Sequence, residues 1–296
     1  MDDASQSLRT TVNNGGTANR LTAVVKEGLG THTFDGALNY SGGTTVSNGV
    51  LAIAGTTVIP NTSPIITLVA PGTLDVSGAG GVLTIGGAAP QAIRGTGRLQ
   101  GALVMAPNGT NSPGFGIGTL TVSSSITLYG TSVMEVNGTN SQNSDLLVAQ
   151  SGTLTYGGVL NVNNIGSLAL TNGTYTFQLF SAPTITGSFT ATNLPPLGGP
   201  NRTWDTSELA QGRIKLVVAV DSTPVTLTNT VTGGNTLQLT WPTGSIGWRL
   251  QVQSNTVAAP NLRTNWVTIS GSDATNLMSF PIGTTNGSVY YRMIFP

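Results

Sequence analysis

The chain has 296 residues, of which 40 are glycine and none is cysteine, and only 7% are charged. The 11 basic and 11 acidic residues cancel and are scattered, which argues against nucleic-acid binding, because that needs clustered Lys and Arg. The absence of cysteine excludes disulfides and thiolate metal sites. No apolar run reaches the roughly 18 residues of a membrane helix, and 38% hydrophobic residues at zero net charge predict a folded chain.

Short segments in which apolar residues alternate with other residues predict β-strands from end to end. The recurring unit is Gly, a small or β-branched residue, Leu, any residue, then Val or Ile. Clear copies, each preceded by a glycine, are residues 50–53, 73–76, 82–85, 119–122 and 159–162. We find no convincing helix of three turns. Degenerate repeats are typical of a solenoid, whose coils bury their faces against their neighbours. A β-sandwich is the competing interpretation, and for residues 1–220 we favour the β-solenoid.

The most specific motif lies between residues 26 and 51. It reads Lys26-x-Gly28-x-Gly30-Thr31, then Tyr40-x-Gly42-Gly43-Thr44-Thr45-Val46, then Gly49-x-Leu51. This pattern resembles the autotransporter-associated β-strand repeat of bacterial passenger domains, although His32 stands where an apolar residue is usual. The resemblance implies a right-handed parallel β-helix.

Residues 112–162 continue the resemblance. Ser112-Pro113-Gly114, followed by residues 118–122, looks like the family's Ser-Pro-Gly element, and residues 144–148 and 152–154 look like its following coils. From about residue 175 we expect a terminal cap region, because the end of a solenoid exposes a strand edge that needs cover.

The C-terminal segment has a different composition. We place a domain boundary at residues 220–224, and we predict a small antiparallel β-sandwich over residues 221–296. Aromatic residues become frequent here: Trp241, Trp248, Trp266, Phe280, Tyr290, Tyr291 and Phe295. The elements Leu239-Thr240-Trp241-Pro242, Gly247-Trp248-Arg249-Leu250-Gln251 and Tyr290-Tyr291-Arg292 resemble a C-terminal module of secreted bacterial proteins, and the resemblance implies no particular activity.

The sequence offers little for catalysis. His32 is the only histidine, so a Ser-His-Asp triad would have to use it, and with no cysteine a transition-metal site is not expected. Five carboxylates are isolated, with no charged neighbour within two residues: Asp35, Asp75, Glu135, Asp145 and Asp205. We therefore predict no enzymatic activity and no cofactor. Two alternatives stay open: stacked coils could form the carboxylate pair of a polysaccharide-degrading β-helix enzyme, and Asp with backbone carbonyls could hold a structural Ca²⁺.

These features predict an extracellular structural protein at a bacterial cell surface: a stalk, an adhesin passenger segment or a fibre subunit. The alternative is a glycan-binding module, with Trp248, Trp266 and Tyr290 as candidate contacts to a cell-surface glycan. The same aromatic residues could instead form the core of the C-terminal segment. Because the repeat begins near residue 25, we also expect self-association through the solenoid ends, with another copy or upstream coils covering the first coil.

Overall fold

The computed structural model describes residues 6–8, 12–13, 23–168, 173–197, 201–219, 224–256, 262–283 and 287–295. These ranges contain 32 β-strands and three 3₁₀ helices of three residues each. The all-β prediction is therefore confirmed. In the described part no helix has the length and apolar character needed to cross a membrane.

Strands β1 to β24, apart from β21, form a stacked region and mostly contain three to six residues. In chain order they are β1 (Gln6–Leu8), β2 (Val12–Asn13), β3 (Val24–Lys26), β4 (Thr31–Phe34), β5 (Leu38–Asn39), β6 (Thr44–Val46), β7 (Val50–Ala54), β8 (Ile65–Leu68), β9 (Thr73–Gly78), β10 (Val82–Ile85), β11 (Gln91–Gly95), β12 (Arg98–Gln100), β13 (Ala102–Met105), β14 (Gly109–Pro113), β15 (Thr119–Val122), β16 (Ile126–Leu128), β17 (Thr131–Val136), β18 (Leu146–Ala149), β19 (Thr153–Tyr156), β20 (Val159–Asn164), β21 (Gly173–Gln178), β22 (Phe180–Ser181), β23 (Thr184–Gly187) and β24 (Ala191–Asn193).

Three parallel sheets dominate this region. Sheet A has the order β1-β4-β7-β9-β12-β15-β18-β22, sheet B the order β10-β13-β16-β19-β23, and sheet C the order β3-β6-β8-β11-β14-β17-β20-β24. Over the middle coils, successive strands along the chain belong to sheets C, A and B in turn, and each pairs with its counterpart one coil away. Stacked parallel sheets visited in this cyclic order are compatible with the predicted β-helix.

The interior is built from stacks of aliphatic side chains. In sheet B, Leu83 pairs with Leu103, Leu103 with Ile126 and Ile126 with Leu154, and the last three are completely buried. Because side chains alternate between the two faces of a strand, the period-two pattern places every second residue, which is apolar, in the interior. Burying one such side chain contributes roughly 1.5–3 kcal/mol, and the register repeats this gain at each coil.

The last coils of the stacked region end on an aromatic cluster. The ring of Tyr156 stacks on Phe189 with centroids 4.4 Å apart and meets Phe180 edge-on at 5.1 Å. The Tyr156 hydroxyl donates a hydrogen bond of 3.0 Å to the carbonyl of Leu209, which begins the 3₁₀ helix Leu209–Gln211. Large rings thus cover part of the final coil.

The remaining strands are β25 (Arg202–Asp205), β26 (Arg213–Val218), β27 (Thr228–Thr232), β28 (Thr236–Thr240), β29 (Arg249–Asn255), β30 (Val267–Thr268), β31 (Leu277–Pro281) and β32 (Ser288–Ile294), and the other 3₁₀ helices are Thr243–Ser245 and Ser272–Ala274. Strands β21, β26 and β25 form one three-stranded sheet. Two antiparallel three-stranded sheets follow: sheet D, with the order β27-β28-β31, and sheet E, with the order β30-β29-β32.

The chain divides into two compact units. The first comprises Met1–Leu168, Thr176–Pro196 and Asp205–Lys215, and the second Ala169–Tyr175, Leu197–Trp204 and Leu216–Pro296. Most of the boundary predicted at residues 220–224 lies outside the described residues. In the second unit, sheets D and E share a cluster of Leu239, Trp241 and Leu250, all at most 3% exposed.

Candidate functional site

Lys26, the first residue of the repeat motif, is almost completely buried at 8% exposure. Its ammonium donates hydrogen bonds to the carbonyls of Glu27 and Gly28, both at 2.7 Å, and to that of Asn48 at 3.3 Å. A buried cation needs several acceptors to offset its lost hydration. The Lys of the motif thus joins the turn that follows β3 to the turn that follows β6, one coil later.

Tyr40 and Thr44, the start and middle of the second part of the motif, form a buried chain of hydroxyl groups. The Tyr40 hydroxyl lies 2.6 Å from Thr44 Oγ1, which lies 3.3 Å from Ser63 Oγ. Tyr40 is 1% exposed, and this burial raises its pKa, against the smaller opposite effect of the two hydroxyl groups. Because each hydroxyl both donates and accepts, the chain satisfies its members across two coils.

Gly49, which starts the last part of the motif, lies where two coils approach most closely. Its φ is +59°, and a Cβ there would collide with the carbonyl oxygens of Gly28 and Gly30 in the preceding coil. Only glycine tolerates both conditions. His32, the departure from the motif, is half-buried and meets Phe34 edge-on with centroids 5.0 Å apart. Its aromatic contact therefore lies within its own strand.

Asp145 links the two later motifs. It is fully buried, and its two carboxylate oxygens accept hydrogen bonds from the backbone amides of Gly118 at 2.9 Å and Glu135 at 2.8 Å. Burial raises its pKa from 3.8 to about 7, although the two amide donors lower it. Since both oxygens face backbone amides in the interior, the arrangement favours a structural role over catalysis.

Two of the other predicted carboxylates also serve local structure. Asp75 accepts from the amide of Ser77 and Asp205 from that of Ser207, at 2.9 and 2.8 Å. Asp35 is half-buried and would meet a Cβ added at Gly55. Within the part of the chain that the structure describes, no three His, Asp or Glu residues cluster as they would around a metal ion.

The outward side of sheet E brings together two of the three predicted glycan contacts. Leu250, Tyr291 and Met293 pack against the core cluster, so the intervening residues lie on the opposite side. Tyr290 pairs there with Gln253. The ring of Trp266 lies below Arg292, whose Cζ is 4.2 Å from the ring centroid.

Trp248, the third predicted contact, lies elsewhere. It precedes β29, is 7% exposed and meets Phe295 edge-on with centroids 5.4 Å apart. Trp266 and Tyr290 are both half-buried. The three aromatic residues therefore do not form one continuous platform.

The sequence analysis missed the amide side chains on the outward side of sheet E. Gln251 accepts from Arg292 Nε at 2.8 Å and donates to Thr268 Oγ1 at 3.1 Å, and Gln253 donates to Asn265 Oδ1 at 2.7 Å. The spacing of Arg249, Gln251, Gln253 and Asn255 could have predicted this polar face, because residues two apart in a strand share one face.

Comparison with known families supports the interpretation of the first coils. No curated protein matches the chain significantly. Residues 24–53 match the model of the passenger-associated-transport-repeat. These residues include Lys26, Tyr40 and Gly49, whose contacts join neighbouring coils, and the match confirms the resemblance of this segment to an autotransporter passenger repeat.

Proposed function

We propose that the chain is an extracellular structural segment of passenger type, acting as a stalk, an adhesin segment or a fibre subunit. The supporting observation is the use of the repeat residues: Lys26, Tyr40 and Gly49 all contact groups of their own or neighbouring coils. The carboxylates of Asp75, Asp145 and Asp205 accept backbone amides, and Glu208 forms ion pairs with Arg213 and Lys215, which supports a non-catalytic role. A repeat of this family is associated with secreted or surface proteins.

We infer two finer features of the architecture. The stacked sheets form a right-handed β-helix, since connections between parallel strands of one sheet are right-handed in about 98% of cases. Sheets D and E form a small β-sandwich, because the core cluster takes residues from both sheets: Leu239 from β28 and Leu250 from β29.

Surface location is tested with antibodies raised against the purified chain. Intact producing cells should be labelled, and external protease should remove the label. Labelling that appears only after the cells are permeabilised would overturn the proposal. A parallel screen on common polysaccharides should show no turnover, and a turnover abolished by Glu135→Gln would instead favour the polysaccharide-degrading enzyme.

Self-association through the solenoid ends is part of this proposal. Strands β1 and β2 pair with β4 and β5 of the next coil, and among the described strands β3 lies at the end of sheet C. An end strand presents unpaired amides and carbonyls to a further strand, and the low charge removes repulsion between copies. Light scattering should show mass increasing with concentration, and a constant monomer mass over the whole range would contradict self-association.

A second candidate function is glycan binding by the second unit. The observation that favours it is the common face of Trp266 and Tyr290, on which Gln251 is partly exposed. Aromatic rings with amide neighbours suit the apolar faces and hydroxyl groups of sugars. Binding of the full chain to immobilised polysaccharides, lost in Trp266→Ala, tests this function.

A further inference from the structure

The outward side of sheet E carries the positive charge of two arginines, which have no part in the structural role proposed above. We call it the Arg–Trp face, formed by Arg249, Gln251, Trp266, Tyr290 and Arg292; Gln253, on the same side of β29, is only 1% exposed and is not part of it. Arg292 pairs with Gln251, and Arg249 pairs with Ile294, two residues further along β32. The two arginines are therefore diagonal neighbours on one face, where side chains are roughly 7–8 Å apart.

The surroundings leave this charge uncompensated. Residues 224–296 contain three arginines and one acidic residue, Asp273, which belongs to the 3₁₀ helix Ser272–Ala274. Glu208 forms ion pairs with Arg213 and Lys215, and no ion pair is seen for Arg249 or Arg292 among the described residues. Both Arg249 and Arg292 are exposed, so an anion in solution can reach them.

Arg292 is held in place before any ligand arrives. Its Nε donates to Gln251 Oε1 and its guanidinium lies over the Trp266 ring, two contacts that restrict the side chain. Stacking on an aromatic ring leaves the planar edge of a guanidinium accessible, and that fork matches the two oxygens of a carboxylate. A fixed guanidinium loses less conformational entropy on binding than a mobile one.

We propose that the Arg–Trp face binds the carboxylate of an acidic polysaccharide, such as one built of uronic acids. Arg292 takes the carboxylate, Arg249 adds long-range attraction, and Trp266 with Tyr290 contacts the sugar ring. This inference rests on the second candidate function, glycan binding, and names the class of glycan. It does not depend on the structural role of the first unit.

The test uses the full chain and measures affinity for soluble polygalacturonate, neutral galactan and dextran sulfate by affinity electrophoresis. We expect binding to polygalacturonate, weakened about 10-fold to 100-fold in Arg292→Gln, because a charge-assisted bidentate contact is lost. Arg249→Gln should weaken it about threefold, and added salt should reduce this difference. The matched control is Arg94→Gln, since Arg94 also lies over an aromatic ring, that of Phe115, with Cζ 5.5 Å from its centroid.

The possible outcomes distinguish recognition of a carboxylate from glycan binding in general. Equal binding of galactan and polygalacturonate, unchanged in Arg292→Gln, would overturn the carboxylate inference and leave glycan binding intact. Equal binding of dextran sulfate would replace carboxylate recognition with general polyanion attraction. Failure of all three polymers to bind would overturn both the inference and glycan binding. Loss of affinity in Arg94→Gln equal to that in Arg292→Gln would also count against the Arg–Trp face.

Discussion

Lys26 shows how a residue that suggests surface charge can be part of the coil architecture. Lys26→Met keeps the aliphatic stem but removes the ammonium, so the carbonyls of Glu27, Gly28 and Asn48 lose their donor. We expect the free energy of unfolding to fall by about 2–3 kcal/mol, as for a buried polar group left unsatisfied, measured by urea denaturation. Lys215→Met is the control, since Lys215 pairs with Glu208 near the surface and such pairs contribute little. Equal effects of the two substitutions would contradict the role assigned to Lys26.

The buried carboxylate of Asp145 makes a prediction about pH. Its pKa is about 7 in the folded chain and 3.8 ordinarily, so between these values the folded chain holds a proton that the unfolded chain releases. The free energy of unfolding should therefore fall as the pH rises from about 4 to 7, by at most about 4 kcal/mol at 1.36 kcal/mol per pKa unit, and then level off.

Asp145→Asn isolates this contribution. The variant cannot ionise at this position and loses one of the two amide contacts, because its NH₂ group cannot accept from a backbone amide. It should be less stable than the natural chain at pH 4, with the difference shrinking as the pH rises to 7. A difference in melting temperature that stays constant over this pH range would contradict the raised pKa.

For single residues, the sequence predicts the kind of β segment that holds them better than the groups that their side chains contact. Alternation places Trp266 and Trp248 in an aromatic-rich β segment, but the side that each ring faces depends on strand register, which the sequence does not specify here. The acceptors of the Lys26 ammonium are backbone carbonyls in two turns one coil apart, and every residue has a backbone carbonyl. No side-chain pattern marks such acceptors.

At the scale of elements, a column of glycines sets how closely the coils approach. Gly109, Gly130 and Gly158 precede or begin the sheet C strands of three consecutive coils. A Cβ added at Gly130 would collide with the carbonyl oxygen of Gly109, and one at Gly158 with that of Gly130. Of the glycines that precede the apolar runs, Gly49, Gly72, Gly118 and Gly158 thus have a steric cause, whereas a Cβ at Gly81 would meet nothing within 4 Å.

Gly130→Ala tests this column. The added methyl group forces the coils apart, and overpacking of this kind costs about 1–3 kcal/mol, seen as a lower melting temperature. Gly87→Ala is the matched control, because Gly87 is exposed and a Cβ there has nothing within 4 Å. Equal melting temperatures for the two variants would show that the coils adjust without strain.

The spacing of elements explains why the repeat was only partly visible in the sequence. Successive sheet C strands begin at residues 65, 91, 109, 131 and 159, so the coil length changes at each step. Long turns such as residues 137–145 absorb the differences while the parallel register is kept. Individual strands could therefore be predicted from alternation, whereas their assignment to three sheets needed the pairing.

For the whole molecule, the all-β class could be predicted from composition and from the alternation of apolar residues.

The C-terminal sheets are expected to fold independently, because sheets D and E lie entirely within residues 224–296. Their core cluster joins Leu239 and Trp241 to Leu250, and these residues come from the same continuous stretch. Domains of about 60 residues or more commonly fold alone without disulfides or metals.

Expressed separately, residues 224–296 should therefore unfold in urea as one cooperative transition followed by tryptophan fluorescence. Three of the four tryptophans, Trp241, Trp248 and Trp266, report on it, and the slope for so small a domain should be near 1 kcal/mol per M urea. The control is the same fragment with Leu250→Asp, which places an unpaired charge at a completely buried position and should abolish the transition. A gradual change that is the same in both fragments would mean that sheets D and E need the remainder of the chain to fold.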